Sequence, residues 1–241
     1  MKKSQIKLFC LIPAYNEKGN LIPLTKSLIR IFSSILTDYK IFFVIQGDRD
    51  SIGILKNLKS KNKNIDWIYF RDPLGIGTAY KKGFKKVSKR YSHVLTLDAD
   101  LNHDPLFIPE LLKEMEKSKS DLVIGSRFIN GGAFLDKRVW KRHVSLIINR
   151  LVANISRLPI KDLSSGFRLI KREVIEAVIS DLSENGYPSY MEFIVRSAKK
   201  GFKISEIPIV YKPRKWGKSK MGKLRTMADY INFLFKLKLT F

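Results

Sequence analysis

The sequence predicts an α/β fold of the doubly wound kind, a mostly parallel central sheet with helices on both faces. Three observations predict it. Short apolar runs alternate with longer amphipathic stretches through the first half of the chain. The runs are apolar on both faces and rich in β-branched and aromatic residues, which suits strands buried between two helix layers. No repeat or low-complexity segment interrupts the alternation, so it reads as successive βαβ units.

Taken in order, the strands are IKLFCLI (6–12), KIFFVI (40–45), IDWIYF (65–70), HVLTL (93–97) and DLVIG (121–125). Helices are predicted near 20–36, 77–90 and 106–118. After residue 126 the pattern changes. Residues 136–157 carry a helical stripe of Val139, Trp140, Val144, Ile147, Ile148, Leu151, Val152 and Ile155, with Lys137, Arg138, Lys141, Arg142 and Arg150 around it. SEIPIVY (205–211) reads as another strand and 219–238 as a last helix rich in lysine and apolar residues.

The bulk numbers bound the function. A chain of 241 residues, 44% hydrophobic, supports one sizeable core. Its single cysteine, Cys10, lies in an apolar run and reads as a small core hydrophobe, without a disulfide framework. No run of 18 apolar residues occurs, and MKKSQIKLFCLIPAYNE turns polar too early for a signal peptide, so a cytoplasmic location is expected. Lys plus Arg number 46 against 22 Asp plus Glu, a net charge of +24. Such a field favours polyanions: nucleic acid, anionic lipid or phosphorylated small molecules. The basic residues are spread along the chain rather than clustered with aromatics, so a nucleic-acid binder is the distant alternative.

The acids are more specific. Chance alone gives roughly 0.7 Asp-x-Asp pairs at this composition, and two occur, Asp48/Asp50 and Asp98/Asp100. Context separates them. Asp98 and Asp100 follow an apolar run directly, which in an open α/β sheet sets them at the carboxyl edge where ligands bind. Paired carboxylates there repel unless a cation intervenes. A hard divalent ion that keeps positions open for phosphate oxygens resolves the conflict, and Asn102 offers a neutral oxygen beside it. Helix capping is the other reading, but Asp104 holds the better capping position.

Other strand ends answer similarly. Pro13-Ala14-Tyr15-Asn16-Glu17 brings an aromatic face, an amide and a carboxylate to the same edge, with Pro13 expected to stop the strand. LGIGTA (74–79) sets two glycines before a helix, for close backbone approach or a tight turn.

Seven segments in order carry a resemblance: LIPAYNE (11–17), LGIGTAYKKGF (74–84), LDADLNHDP (97–105), IGSRFINGG (124–132), DLSSGFRLIKREV (162–174), GYPSYMEFIVRSAKKGF (186–202) and RKWGKSKMG (214–222). The chain resembles family-2 glycosyltransferases of GT-A fold, in the dolichol-phosphate mannose synthase-like, polyprenyl-phosphate branch. The resemblance implies a catalytic domain over 1–222, with 223–241 an amphipathic helix that contacts a membrane surface, the protein's own core or a partner. It implies that Pro13, Tyr15 and Glu17 hold the nucleotide, and that Asp98, Asp100 and Asn102 surround Mg²⁺ or Mn²⁺. Arg214 and Lys220 would clamp the donor phosphates. Arg127, with Arg142 or Lys141, would receive the acceptor lipid's phosphate, and Asp162, Ser165 and Arg168 would shape that side, Asp162 and Arg168 alternatively as a salt bridge. Asp98, Asp100 and Arg127 are the catalytic candidates.

One departure stands out. The family's acidic pair after its second strand is replaced by Gln46-Gly47, with Asp48 two places on. GDP-mannose is the default donor, with UDP-glucose or UDP-N-acetylglucosamine behind it. The implied reaction is inverting transfer of a hexose, mannose first, to a polyprenyl or dolichyl phosphate at a cytoplasmic membrane face, with a small membrane-anchoring subunit as a further expected partner. The alternative is transfer to a sugar or protein hydroxyl, which needs a base. Glu192, in the Met-Glu segment, is the nearest candidate and reads first as structural.

Overall fold

The computed structural model describes residues 4–135, 139–214, 216 and 222–240. Nine strands and eight helices run among them in this order: β1 (Ser4–Tyr15), α1 (Lys18–Ile35), β2 (Leu36–Gln46), α2 (Asp50–Lys61), β3 (Ile65–Phe70), α3 (Ile76–Phe84), β4 (His93–Thr96), α4 (Ile108–Ser118), β5 (Leu122–Ser126), β6 (Ala133–Phe134), α5 (Val139–Ile155), β7 (Arg168–Lys171), α6 (Arg172–Val178), α7 (Ser189–Lys199), β8 (Ile204–Pro208), β9 (Val210–Tyr211) and α8 (Lys223–Thr240).

Seven strands form one sheet in the order β3-β2-β1-β4-β7-β5-β8. Only β7 runs antiparallel, between β4 and β5, and β6 pairs with β9 as a separate ribbon. One apolar cluster joins the sheet to α1, α2 and α4. A second joins its other face to α3, α5, α6, α7 and α8. This is the expected mostly parallel α/β sheet with helices on both faces. Cys10 is fully buried within it.

Pro13 does not stop its strand. β1 continues to Tyr15, with Pro13 in register with Val44 of β2. Pairing with β4 ends at Leu11–Thr96, and the Leu11 carbonyl still accepts from the Leu97 N–H. Two residues on, Pro13 faces the same side beyond the partner strand, so its missing N–H is not needed.

The last helix has two apolar faces. Tyr230, Phe233 and Leu237 are buried in the second cluster, whereas Met227, Ile231, Phe235 and Leu239 are exposed. Residues 219–221 of the predicted helix, and 136–138 of the basic one, lie outside the described residues. Among the described residues no helix is long and apolar enough to cross a membrane.

Candidate active site at the carboxyl edge of the sheet

The carboxyl ends of β1, β2 and β4 deliver the first group of side chains. Half-buried Tyr15 ends β1 opposite Gln46. Glu17 follows, its Oε2 accepting from Asn20 Nδ2 at 2.6 Å and its Oε1 from Arg214 Nη1 at 2.8 Å. Beyond β4, Asp98 Oδ1 accepts from the Tyr190 hydroxyl at 3.0 Å. Asp100 is buried. Its Oδ1 accepts from the Asn102 N–H at 3.1 Å, and its Oδ2 from Asn102 Nδ2 at 3.0 Å and Arg214 Nη2 at 2.7 Å. Between them Leu101 takes φ +64°, a left-handed conformation that costs a branched side chain energy.

The electrostatics follow from this crowding. Burial raises the proton affinity of both carboxyls above the usual range, and the charge of Asp98 raises that of Asp100 further. Arg214 pulls both back. Two acids held at such a cost mark a site that receives positive charge. Asn102 adds a matching signal: its Nδ2 is occupied by Asp100 and the Tyr211 hydroxyl, while its buried Oδ1 has no partner. Two carboxylates and an orphaned amide oxygen are hard donors too few to enclose an ion. They fit a divalent cation that leaves positions for phosphate oxygens. Among the described residues no cluster of three His, Cys, Asp or Glu offers a closed site.

Beneath the pair lies His103, a residue that sequence reasoning passed over. It is buried, stacked on Phe167 at 5.4 Å, and its Nδ1 accepts from the Asp98 N–H at 3.4 Å. Burial depresses its pKa to about 4, so the ring is neutral at physiological pH. Its place in LDADLNHDP was the available signal. Asp104 caps the turn at Pro105 by accepting from the Leu106 N–H, so Asp98 and Asp100 are not needed as caps.

The second group centres on Arg127, just past β5. Its Nε donates to Asp162 Oδ2 and its Nη2 to Asp162 Oδ1, both at 2.7 Å, and Nη2 also reaches Ser164 Oγ at 2.7 Å. The rings of Phe128, Phe134 and Tyr211 surround the guanidinium at 5.0, 5.0 and 5.4 Å. From α5, Ser145 Oγ lies 3.2 Å from Ser164 Oγ, and Asn149 Nδ2 reaches the same hydroxyl at 2.9 Å.

Several expectations change here. Asp162 pairs with Arg127, not Arg168; Arg168 instead donates to the carbonyls of Leu163, Ser165 and Tyr190. The loop's tight turn buries Ser165, whose hydroxyl accepts from the Phe167 N–H, so Ser164 is the serine beside Arg127. Arg142 is exposed on the first turns of α5. Lys220 lies outside the described residues, as does the Lys141 side chain. Gln46 is buried, its Oε1 accepting from the Leu74 N–H at 2.7 Å, and Asp48 Oδ1 caps the start of α2 through the Asp50 N–H. The glycines of LGIG admit the chain's own backbone: a Cβ at Gly77 would lie 2.3 Å from the Glu184 carbonyl, and one at Gly75 2.6 Å from that of Asn185. Glu192 is buried, accepting from Ser183 N–H and hydroxyl and from Glu184 N–H at 2.8–3.0 Å.

Comparison with known proteins agrees with this architecture. Residues 9–179 match the model of glycosyl transferase family 2. The chain is 29% identical over 235 residues to a dolichol-phosphate mannosyltransferase of Pyrococcus furiosus, spanning 96% of this chain and 64% of that one. It is 30% identical over 220 residues to a polyprenol monophosphomannose synthase of Mycolicibacterium smegmatis, covering 88% and 80%. Among solved structures, glucosyl-3-phosphoglycerate synthase from Mycobacterium tuberculosis, in complex with Mn²⁺, uridine diphosphate and phosphoglyceric acid, superposes with TM-score 0.68 at 17% identity, over 98% of this chain and 78% of that one. That likeness shows the GT-A fold. With the family model covering most of the sheet and both loops that carry the acids and Arg127, the chain belongs to glycosyl transferase family 2, and it is a glycosyltransferase.

Proposed function

We propose that the enzyme transfers a hexose, mannose first, from a nucleotide sugar, GDP-mannose first, to the phosphate of a polyprenyl or dolichyl lipid, with inversion at the anomeric carbon. The two curated relatives, named for lipid-phosphate mannose transfer, support this reading. One observation carries it: Tyr211 bridges the two groups, its hydroxyl accepting from Asn102 Nδ2 beside the acid pair and its ring lying 5.4 Å from the Arg127 guanidinium. The acid pair thus has a donor-side clamp, Arg214, 2.7 Å from Asp100 Oδ2, and across Tyr211 a second cation set among hydroxyls.

On this reading Pro13, Tyr15 and Glu17 hold the nucleoside, while Asp98, Asp100 and Asn102 would hold Mg²⁺ or Mn²⁺. The bound ion supplies Lewis-acid neutralisation of the departing diphosphate. Arg214 exchanges Glu17 and Asp100 for donor phosphate oxygens, an exchange a bidentate guanidinium suits, with Lys220 as the second clamp that the resemblance implies. Arg127, Ser164 and Ser145, with Arg142 nearby on α5, receive the acceptor phosphate, and Asp162 holds the Arg127 fork in place. An oxygen of that phosphate attacks the anomeric carbon as the bond to the nucleoside diphosphate breaks, so a single displacement inverts configuration. No base is required, because a phosphate monoester with second pKa about 6 is already ionised at neutral pH. Glu192, the nearest base candidate, is held by backbone N–H groups instead. Acting on a lipid acceptor, the enzyme works peripherally at the cytoplasmic face of a membrane.

The test is sugar transfer from a panel of radiolabelled nucleotide sugars into polyprenyl phosphate vesicles, with Mg²⁺, Mn²⁺ or EDTA, beside Asp100→Ala. Metal-dependent labelling of lipid from one donor, lost in the variant, is the expected result. A folded, nucleotide-binding protein that labels no lipid from any donor would overturn the acceptor.

A further inference from the structure

We infer that Tyr190 is a positioning residue for the cation site: its hydroxyl holds Asp98 with Oδ1 committed to the protein and Oδ2 alone left for the ion. The inference deepens the proposed function, and rests on it for the ion that Asp98 would hold.

Tyr190 comes from α7, remote in sequence from β4, and its hydroxyl meets Asp98 Oδ1 at 3.0 Å. An ionised carboxylate only accepts, so the hydroxyl donates, and that bond favours the charged form that a cation also needs. The tyrosine is itself held on several sides. It is buried, with the Arg168 guanidinium 5.2 Å from its ring centroid and Arg168 Nη2 donating to its backbone carbonyl at 2.8 Å. The ring of Tyr80 stands edge-on to it at 5.6 Å. The loop backbone closes in as well. A Cβ at Gly166 would lie 3.0 Å from Tyr190 Cε1 and 3.1 Å from Asp98 Oδ1. Thr96 of β4 secures that backbone, its hydroxyl donating to the Gly166 carbonyl at 2.8 Å.

The second oxygen of Asp98 is placed otherwise. Oδ2 lies 3.7 Å from His103 Nδ1, a nitrogen that already accepts from the Asp98 N–H and so has no proton to give. Among the described residues no donor reaches Oδ2, although the Asp98 side chain is only 28% exposed. One oxygen is therefore enclosed by Tyr190 and Gly166, and the other is left to external charge. Asp100 is held by Asn102 and Arg214, which belong to the cation and donor groups themselves. Tyr190 stands outside both groups, so removing its hydroxyl tests position alone. Outer partners of metal ligands commonly act in this way, fixing the orientation in which a ligand meets its ion.

The experiment is Mn²⁺ binding to Tyr190→Phe, with free Mn²⁺ counted by electron paramagnetic resonance in the presence of GDP or UDP, whichever the wild type binds more tightly. The variant keeps the ring and its packing, so its melting curve should stay near wild type and its nucleotide affinity in EDTA should be unchanged. The expected result is a loss of Mn²⁺ affinity of about 10–100-fold, with sugar transfer approaching the wild-type kcat as Mn²⁺ is raised. Gly166→Ala, which presses on the same carboxyl from the loop, is a second variant and should weaken Mn²⁺ with Tyr190 intact. Wild-type Mn²⁺ affinity in folded Tyr190→Phe overturns the inference, as it does in Gly166→Ala should the first variant not fold. So does a matching loss of nucleotide affinity in EDTA, which would make Tyr190 a general support of the site. Full Mn²⁺ affinity in Asp98→Asn would remove the cation from Asp98, and the inference with it. Weakened Mn²⁺ in Tyr190→Phe, with no transfer to lipid phosphate by wild type from any donor, would instead remove the proposed acceptor and leave the role of Tyr190 standing.

Discussion

Arg214 sets Nη2 2.7 Å from Asp100 Oδ2 and Nη1 2.8 Å from Glu17 Oε1, so one side chain from beyond β9 ties together acids from the ends of β4 and β1. These are the acids read as the cation and nucleotide sites, and a donor diphosphate would compete for the same guanidinium. Arg214→Ala should lower kcat/KM for the donor by about 10²–10³, the loss expected for one preorganised charge donor. Arg214→Lys should recover only part of it, since a point charge cannot replace a fork. The pH profile gives a second reading. Arg214 lowers the raised proton affinity of Asp100, so its removal raises that affinity further, and the acid limb of nucleotide binding should move to higher pH. Calorimetric titration of nucleotide across pH checks both.

The Arg127–Asp162 pair makes a prediction about stability. Asp162 is fully buried, and the neighbouring guanidinium holds its carboxyl below the usual range despite that burial. Truncating one partner strands a buried charge, at a cost of about 3–5 kcal/mol. Asp162→Ala should therefore lower Tm by roughly 6–20 °C in a chain of this size, and Ser164→Ala should cost far less. A calorimetric scan of each variant decides. Equal, small shifts would mean that the pair contributes little.

Glu192 separates acceptor classes. Its carboxylate accepts the N–H groups of Ser183 and Glu184, fixing the segment against which Gly75 and Gly77 pack. Glu192→Gln loses part of that grip and should destabilise the fold by about 1–3 kcal/mol. Transfer to a lipid phosphate should fall less than about tenfold, since no base is removed. Abolished transfer with a folded protein would favour a hydroxyl acceptor served by Glu192 as base.

What was legible in the sequence followed from periodicity. IDWIYF reads as a strand because it is short and apolar, and it forms β3 without change of bounds. The antiparallel β7 was not legible, since FRLIK resembles any short apolar run and its pairing between β4 and β5 is a tertiary fact. Nor were α2 and α6, whose polar faces carry little periodic signal. Within the site, Asp98 and Asp100 were legible because an apolar strand has no packing use for two acids at its end. Hydrogen-bond direction was not: nothing in DLSSGFR says which serine turns toward Arg127, or that Asp162 prefers Arg127 to the nearer Arg168. The same limit hid Gln46, whose amide pins the Leu74 loop.

His93 supplies a pH prediction away from the site. It opens β4, with its ring Nδ1 2.8 Å from Ser92 Oγ. Burial, aided by the Lys171 charge, depresses its pKa from 6.5 to about 4. The unfolded chain therefore takes up a proton on this ring as pH falls through about 6.5, while the folded protein resists until about 4. Stability is lost across that window, in the opposite sense to a histidine that gains an acidic partner. The full interval would correspond to roughly 3 kcal/mol, and partial solvent exposure reduces it to about 1–2 kcal/mol. His103 loses stability over the same window, whereas the raised carboxyls of Asp98 and Asp100 oppose it. The wild-type slope alone is thus a mixture, and the informative quantity is a difference between proteins. His93→Gln keeps a polar side chain and removes only the titration. Its Tm should fall less steeply than wild type between pH 6.5 and 4, with the two curves parallel above pH 7. Parallel curves throughout would mean that His93 titrates normally in the folded protein.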